Sequence, residues 1–309
     1  SGRTRWPERV APAGRWILLI SYGFIAFSKF NRGFLDAVGS CAVLFADEFG
    51  AAVGIRPSDS SLVASVIIVA TMVIEAAIPA LLISSRLRRY GVALALCFHF
   101  LLALEPASHV WDFSATLLPL FLLFAPASFH RELGRRISVI DRRPVGERTL
   151  VLGLILALQT VAMAGGLAFL PVWTVASPLW LAVASATVVL YLRHQPRGRP
   201  ERPDGFLAFG SSSRPFLTGA LSLVIGIALL NGVAPYLEMR TAAVFNMYSN
   251  LRVVDGDSNH LIVGGLRSGA SASYVTITSV ADESALSFYL ERDLMVPVEN
   301  FDPDGFSNS

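Results

Sequence analysis

Three side chains able to exchange a proton lie inside apolar stretches of this 309-residue chain: Lys29, Glu75 and His99. Ionisable groups in membrane-spanning segments are costly, and they mark function or contact between helices. Lys29 is the only lysine, and arginine supplies every other fixed cation. A base must be able to lose its proton. Arginine does not do so in a protein, whereas a desolvated lysine does. The competing reading of Lys29 is a lysine that snorkels to the interface and anchors a span. His99, between Phe98 and Phe100, reads either as a hydrogen-bond donor or orienter in catalysis, or as a satisfied structural histidine. Glu75 precedes Pro79, whose missing N–H frees a backbone carbonyl one turn back. Hydrogen bonding between helices is the simplest reading of Glu75.

The elements that must position these residues are membrane helices. The chain is 53% hydrophobic and 16% charged, against about 25% charged in soluble domains. Apolar runs at roughly 16–30, 61–83, 90–104, 113–127, 149–169, 172–192 and 215–233 predict about seven transmembrane helices. The first, third and fourth runs are short for a crossing and must recruit flanking residues. The fifth and sixth are separated only by Leu170, Pro171 and their neighbours, and read also as one broken hairpin. The fold class is therefore an all-α polytopic membrane protein.

Arginine placement sets the orientation. The N-terminal arm holds Arg3, Arg5, Arg9 and Arg15, and the connection between the second and third spans holds Arg86, Arg88 and Arg89. Arg131, Arg135, Arg136, Arg142, Arg143 and Arg148 follow the fourth span, and Arg193, Arg197, Arg199, Arg202 and Arg214 follow the sixth. The alternate connections hold only Arg32 and Arg56. By the positive-inside rule the N-terminus is cytoplasmic, in a multi-pass protein of the cell membrane, and residues 234–309 are extracytoplasmic. Basic loops between spans are an orientation signal, which removes nucleic acid as a partner.

On that topology Lys29 closes the first span at the outer face. His99 lies about 8 Å below the outer end of the third span at 1.5 Å per residue. Glu75 lies about 21 Å deep by the same rise. The expectation is that Lys29 and His99 share an outer-leaflet cavity and that Glu75 is too deep to join them.

Two regions outside the spans have their own character. Residues 31–60 form a long outer connection whose apolar stretch, Phe34 to Val53, reads as a re-entrant or interfacial helix. The tail reads as a small β-containing module. Leu251–Val254 and Leu261–Val263 flank Asp255-Gly-Asp-Ser-Asn259 as a hairpin, Tyr274–Val280 is a third strand and Ala285–Leu294 a short helix. The division is a transmembrane domain over 1–233 and an extracytoplasmic module over 234–309. Cys41 and Cys97 make no disulfide framework. The loop Glu105-Pro-Ala-Ser-His109-Val-Trp111-Asp112 offers a histidine and carboxylates, but its spacing matches no metal motif and no metal is expected. No phosphate loop, nucleophile elbow, His-Glu-x-x-His or Cys-x-x-Cys occurs.

The segment Tyr22-Gly-Phe-Ile-Ala-Phe-Ser-Lys29-Phe-Asn31-Arg-Gly-Phe34 resembles the lysine-bearing segment of the vitamin K-dependent γ-glutamyl carboxylase superfamily, whose bacterial members are called HTTM-domain proteins. Phe98-His99-Phe100, the run from Phe113-Ser114 to Pro126, and Phe245-Asn-Met-Tyr-Ser249-Asn250-Leu-Arg252 with Ser258-Asn259-His260-Leu261 agree in order. The likeness covers most of the chain and is weakest over 150–235. It implies that Lys29 deprotonates a reduced quinone, vitamin K hydroquinone or menaquinone. In the carboxylase, oxygen then converts the quinone to a base that removes a glutamate γ-proton before carbon dioxide adds, a lyase-type reaction. His99 would orient the substrate, and Asn31 and Arg252 would line the cofactor site. Two features depart from the carboxylase. The spans preceding its lysine segment, one with a histidine that helps the hydroquinone react, have no counterpart in these residues. The tail is also far shorter than the lumenal domain that binds the propeptide.

The leading expectation is a quinone-dependent membrane enzyme with membrane lipid and quinone as its partners. A second class is a non-catalytic subunit of a larger membrane complex, completed by partner chains or upstream spans, in which the ionisable residues are structural glue. A transporter ranks last, because no paired interrupted spans appear.

Overall fold

The computed structural model describes residues 6–51, 54–104, 111–141, 172–194, 215–239, 244–246, 248–254 and 257–264. These residues are mostly helical. In chain order the helices are α1 (Trp6–Ser28), α2 (Arg32–Leu35), α3 (Cys41–Ala51), α4 (Ser61–Ile83), α5 (Arg88–Leu102), α6 (Trp111–Leu122), α7 (Ala127–Asp141), α8 (Val172–Arg193) and α9 (Pro215–Val233). Short 3-10 turns occupy Pro57–Asp59 and Ala234–Leu237, and a two-stranded sheet pairs β1 (Val253–Val254) with β2 (Asp257–Ser258).

Two described helical segments, Ser61–Ile83 and Thr218–Leu237, are long and apolar enough to cross a membrane, and a third crossing is added if α6 and α7 count as one broken span. This supports membrane association at a coarser level than seven crossings. The expected span 149–169, the strand Tyr274–Val280 and the helix Ala285–Leu294 lie outside the described residues. The expected fourth span is bent by 115° between α6 and α7. Pro126 disfavours helical geometry at the residue before it, and its carbonyl accepts from Phe129 and His130 to start α7. The first helix begins earlier than its apolar run, because Arg9, Ala11, Ala13 and Arg15 are good helix formers.

The chain forms two compact units, one of residues 1–79 with 205–309 and one of residues 80–204. In the first unit α1 packs on α9 at a close approach: a Cβ on Gly232 would collide with the Phe24 ring. Small residues admit such approaches between apolar helices. Phe34, Val43, Ala64 and Ile68 bring α2, α3 and α4 into one buried cluster, with Cys41 and Met72 against it. The 31–60 connection thus holds two helices where its apolar stretch read as one. Asn31 starts the first of them and residues Asp36 to Ser40 separate them.

In the second unit Ala103, Trp180 and Ala184 form a buried cluster with Phe100, Ala115 and Leu118, which joins α5, α6 and α8. The Tyr191 hydroxyl donates to the Arg89 carbonyl at 3.0 Å, fixing the far ends of α8 and α5.

Candidate functional site: the Lys29 turn

The last turn of α1 closes with Lys29 N–H donating to the Ala26 carbonyl at 3.3 Å and Phe30 N–H to the Phe27 carbonyl at 3.1 Å. Asn31, in extended geometry (φ −138°, ψ 161°), then caps α2, its side-chain oxygen accepting from Phe34 N–H at 2.8 Å. Lys29 sits in the tight turn between these helices. Its side chain does not snorkel: it is 3% exposed, and Nζ forms an ion pair with Glu75 Oε2 at 2.8 Å. The Phe34 ring, with its centroid 5.5 Å from Nζ, adds a cation–π contact.

The expectation that Glu75 is too deep to join Lys29 does not hold, since the two side chains are in contact. Counting residues from each loop assumes that neighbouring spans end level, and the end of α1 stands beside the middle of α4. A buried ammonium needs a countercharge, and Glu75, 9% exposed, supplies it. Burial dominates the chemistry of the nearby Cys41 thiol, pushing it up from its ordinary value, with the Lys29 charge opposing. The raised value disfavours the thiolate form of Cys41.

The tail folds over this turn. Leu261 N–H donates to the Phe30 carbonyl at 2.8 Å and Arg32 N–H to the Asn259 carbonyl at 3.0 Å, with an antiparallel bridge between Asn31 and His260. Asn31 Nδ2 donates to the carbonyls of Ser28 and Ser249, and its Oδ1 accepts from Phe34 N–H and from Asn259 Nδ2. An amide side chain has two donor hydrogens and two acceptor positions. All four are used, so the observed work of Asn31 is to hold the tail. Asn250, in left-handed geometry (φ 56°), donates to the Gly39 carbonyl and accepts from Cys41 N–H, fixing the head of α3.

His260 completes the clasp. Its Nδ1 lies 3.1 Å from the N–H groups of both Ile262 and Val263, and its Nε2 lies 2.9 Å from the Phe27 carbonyl. Nδ1 accepts and Nε2 donates, so the neutral Nε2–H tautomer satisfies all three contacts. Arg252 takes part through its backbone: its N–H donates to Asn259 Oδ1 at 2.8 Å, and its carbonyl accepts from Asn259 N–H at 3.0 Å.

The hairpin is shorter than its sequence pattern. Val253 pairs with Ser258 and Val254 with Asp257, so the second strand is Asp257–Ser258 rather than Leu261–Val263. In the sequence, Asp255-Gly256 stands between the paired residues, and Asp-Gly is a favoured pair for tight hairpins. It also frees Asn259 to Leu261 to meet the Lys29 turn.

His99 belongs to the second unit. It is buried, its Nδ1 lies 3.2 Å from Ser114 Oγ, and Phe98, Phe113 and Phe121 surround its ring. The Ser114 contact and the aromatic surround give His99 the partners of a satisfied core histidine. Among the described residues no group of three or more histidines, cysteines or carboxylates stands ready to hold a metal.

Sequence reasoning missed the parts played by Glu75, Ser249, Asn250, Asn259 and His260 at this turn. A signal for the last four was present in the asparagine-rich stretches Ser249-Asn250 and Ser258-Asn259-His260, polar segments rich in residues that bond to backbone. No protein-family model, curated protein or solved structure matches the chain.

Proposed function

We propose that this protein is a membrane enzyme in which Lys29 removes a proton from a weakly acidic hydroxyl, with a reduced quinone as the substrate that the sequence resemblance favours. The observation that carries this reading is the burial of Lys29 against Glu75 in place of a solvated or headgroup-facing ammonium. An amine buried beside a carboxylate fits a phenol-type hydroxyl as acid. The ordinary values of lysine and of a phenol, about 10.4 and about 10, lie close enough for transfer in either direction. On the arginine distribution, the Lys29 turn and the tail over it lie on the extracytoplasmic side. The quinone would supply the redox chemistry when bound. The chain's part is to hold the amine away from water and to fix the turn that carries it. With the side chain of Asn31 fully bonded to the protein, recognition of the ring falls to other groups.

The test is incubation of the reconstituted protein with reduced menaquinone and oxygen, comparing wild type with Lys29→Arg. Arginine keeps the charge and removes the base. Epoxide formation is expected in the wild type and is lost in the variant. Equal formation in both rejects the role. A second reading, a non-catalytic subunit of a membrane complex, is favoured by one feature of the same pair: it ties α1 to α4 as structural glue. On that reading neither form turns over and both co-purify with partner chains.

A further inference from the structure

Glu75 has no task in the reading above beyond that of a countercharge, yet it is the group in contact with the base. A lysine ammonium cannot accept a proton; it must first shed one. At 3% exposure bulk water is a poor acceptor, and the Glu75 carboxylate lies at 2.8 Å. We infer that Glu75 takes the Lys29 proton and so frees the amine to act, an inference that rests on Lys29 being the base.

The transfer balances. The Lys29 N–H bond breaks and an O–H bond forms on Glu75, leaving a neutral amine beside a neutral acid. The amine lone pair then takes the proton of the substrate hydroxyl. That O–H bond breaks with its electron pair remaining on oxygen, and the lysine is again an ammonium. The site begins as ammonium, carboxylate and neutral substrate. It ends as ammonium, neutral acid and substrate anion. Net charge is zero throughout, which avoids building an uncompensated charge in a poorly solvated site. Tyr22 on α1 interacts electrostatically with Glu75, and Cys41 at the head of α3 with Lys29.

Because Lys29 is the only lysine, an amine-reactive acylating reagent reports on it without interference from other side chains. Wild type, Glu75→Gln and Glu75→Asp are labelled in lipid nanodiscs at one pH and the Lys29 peptide is quantified by mass spectrometry. Removing the carboxylate charge removes what holds the ammonium, so Glu75→Gln is expected to label at least about tenfold faster than wild type. Glu75→Asp keeps the charge and is expected to stay within about threefold. Labelling of Glu75→Gln at the wild-type rate overturns the inference. So does equally fast labelling of Glu75→Asp, which would reflect opened space rather than charge. An independent measurement on the unaltered protein is infrared difference spectroscopy on adding reduced menaquinone without oxygen. A carboxylic-acid carbonyl band is expected to rise, and its absence overturns the inference. The two readings separate cleanly. If Lys29→Arg abolishes epoxide formation while these signatures are missing, Lys29 stands as base and Glu75 does not receive its proton. If Lys29→Arg turns over as wild type, the base reading falls and this inference falls with it.

Discussion

Lys29 Nζ and Glu75 Oε2 stand 2.8 Å apart, joining the turn after α1 to the middle of α4 through two side chains almost wholly shielded from solvent. Buried pairs of this kind stabilise little relative to apolar replacements, but removing one partner leaves the other charge uncompensated. Lys29→Met is therefore expected to destabilise the protein by about 3 kcal/mol. The double variant Lys29→Met/Glu75→Leu should recover most of that loss. Denaturant melts in detergent measure both. Losses that simply add across the two single variants would show that the groups are not coupled.

Asn31→Asp keeps the shape of the side chain and reverses one end of it. A carboxylate oxygen would then face the Ser28 and Ser249 carbonyls that now accept from Nδ2. Leaving buried acceptors unsatisfied costs about 1–3 kcal/mol each. The expected result is a loosened tail, read as protease cleavage after residue 244 at a concentration that leaves the wild type intact. Wild-type resistance would show that the backbone contacts of Asn259 and Leu261 hold the tail without Asn31.

Gly33 lies beneath the tail. A Cβ there would stand 3.1 Å from Asn259 Nδ2, 3.2 Å from the Asn250 carbonyl oxygen and 3.3 Å from Asn250 Cβ. Gly33→Ala should cost about 1–2 kcal/mol through overpacking. Gly134 in α7 has open space at the same position, so Gly134→Ala should raise stability by about 0.5–1 kcal/mol through helix propensity. Melting temperatures of the two variants should move in opposite directions. A shift of the same sign in both would remove the tail contact as the cause.

Gly232→Ala places a methyl group in the Phe24 ring and should force α9 away from α1, at a cost of about 1–3 kcal/mol. Adding Phe24→Ala makes room for that methyl group. The double variant is expected to be less destabilised than the sum of its single changes, as a double-mutant cycle would show. Strict additivity would mean that the two side chains do not meet.

The helical class was legible because burying backbone in an apolar setting requires internal hydrogen bonding, and long apolar runs announce it. Ser61–Ile83 emerges with the bounds that its composition predicts. Lys29 also stood out, since a sole lysine in an arginine-rich chain is visible from composition alone, and the structure buries it against Glu75. The partner of Lys29 was not legible. Residue counting measures height along one helix, and the height of one helix end against its neighbour depends on packing. The hairpin shows the same limit on a smaller scale. Two apolar segments flanking Asp255 to Asn259 indicated a hairpin with Leu261–Val263 as its second strand, whereas the second strand is Asp257–Ser258. The register was settled by contacts distant in sequence, where Asn31, Arg32 and Phe30 take Asn259, His260 and Leu261 as partners. Patterns of residue type are local, so they carry helices and unusual side chains. Which buried donor meets which acceptor depends on chain segments that folding alone brings together.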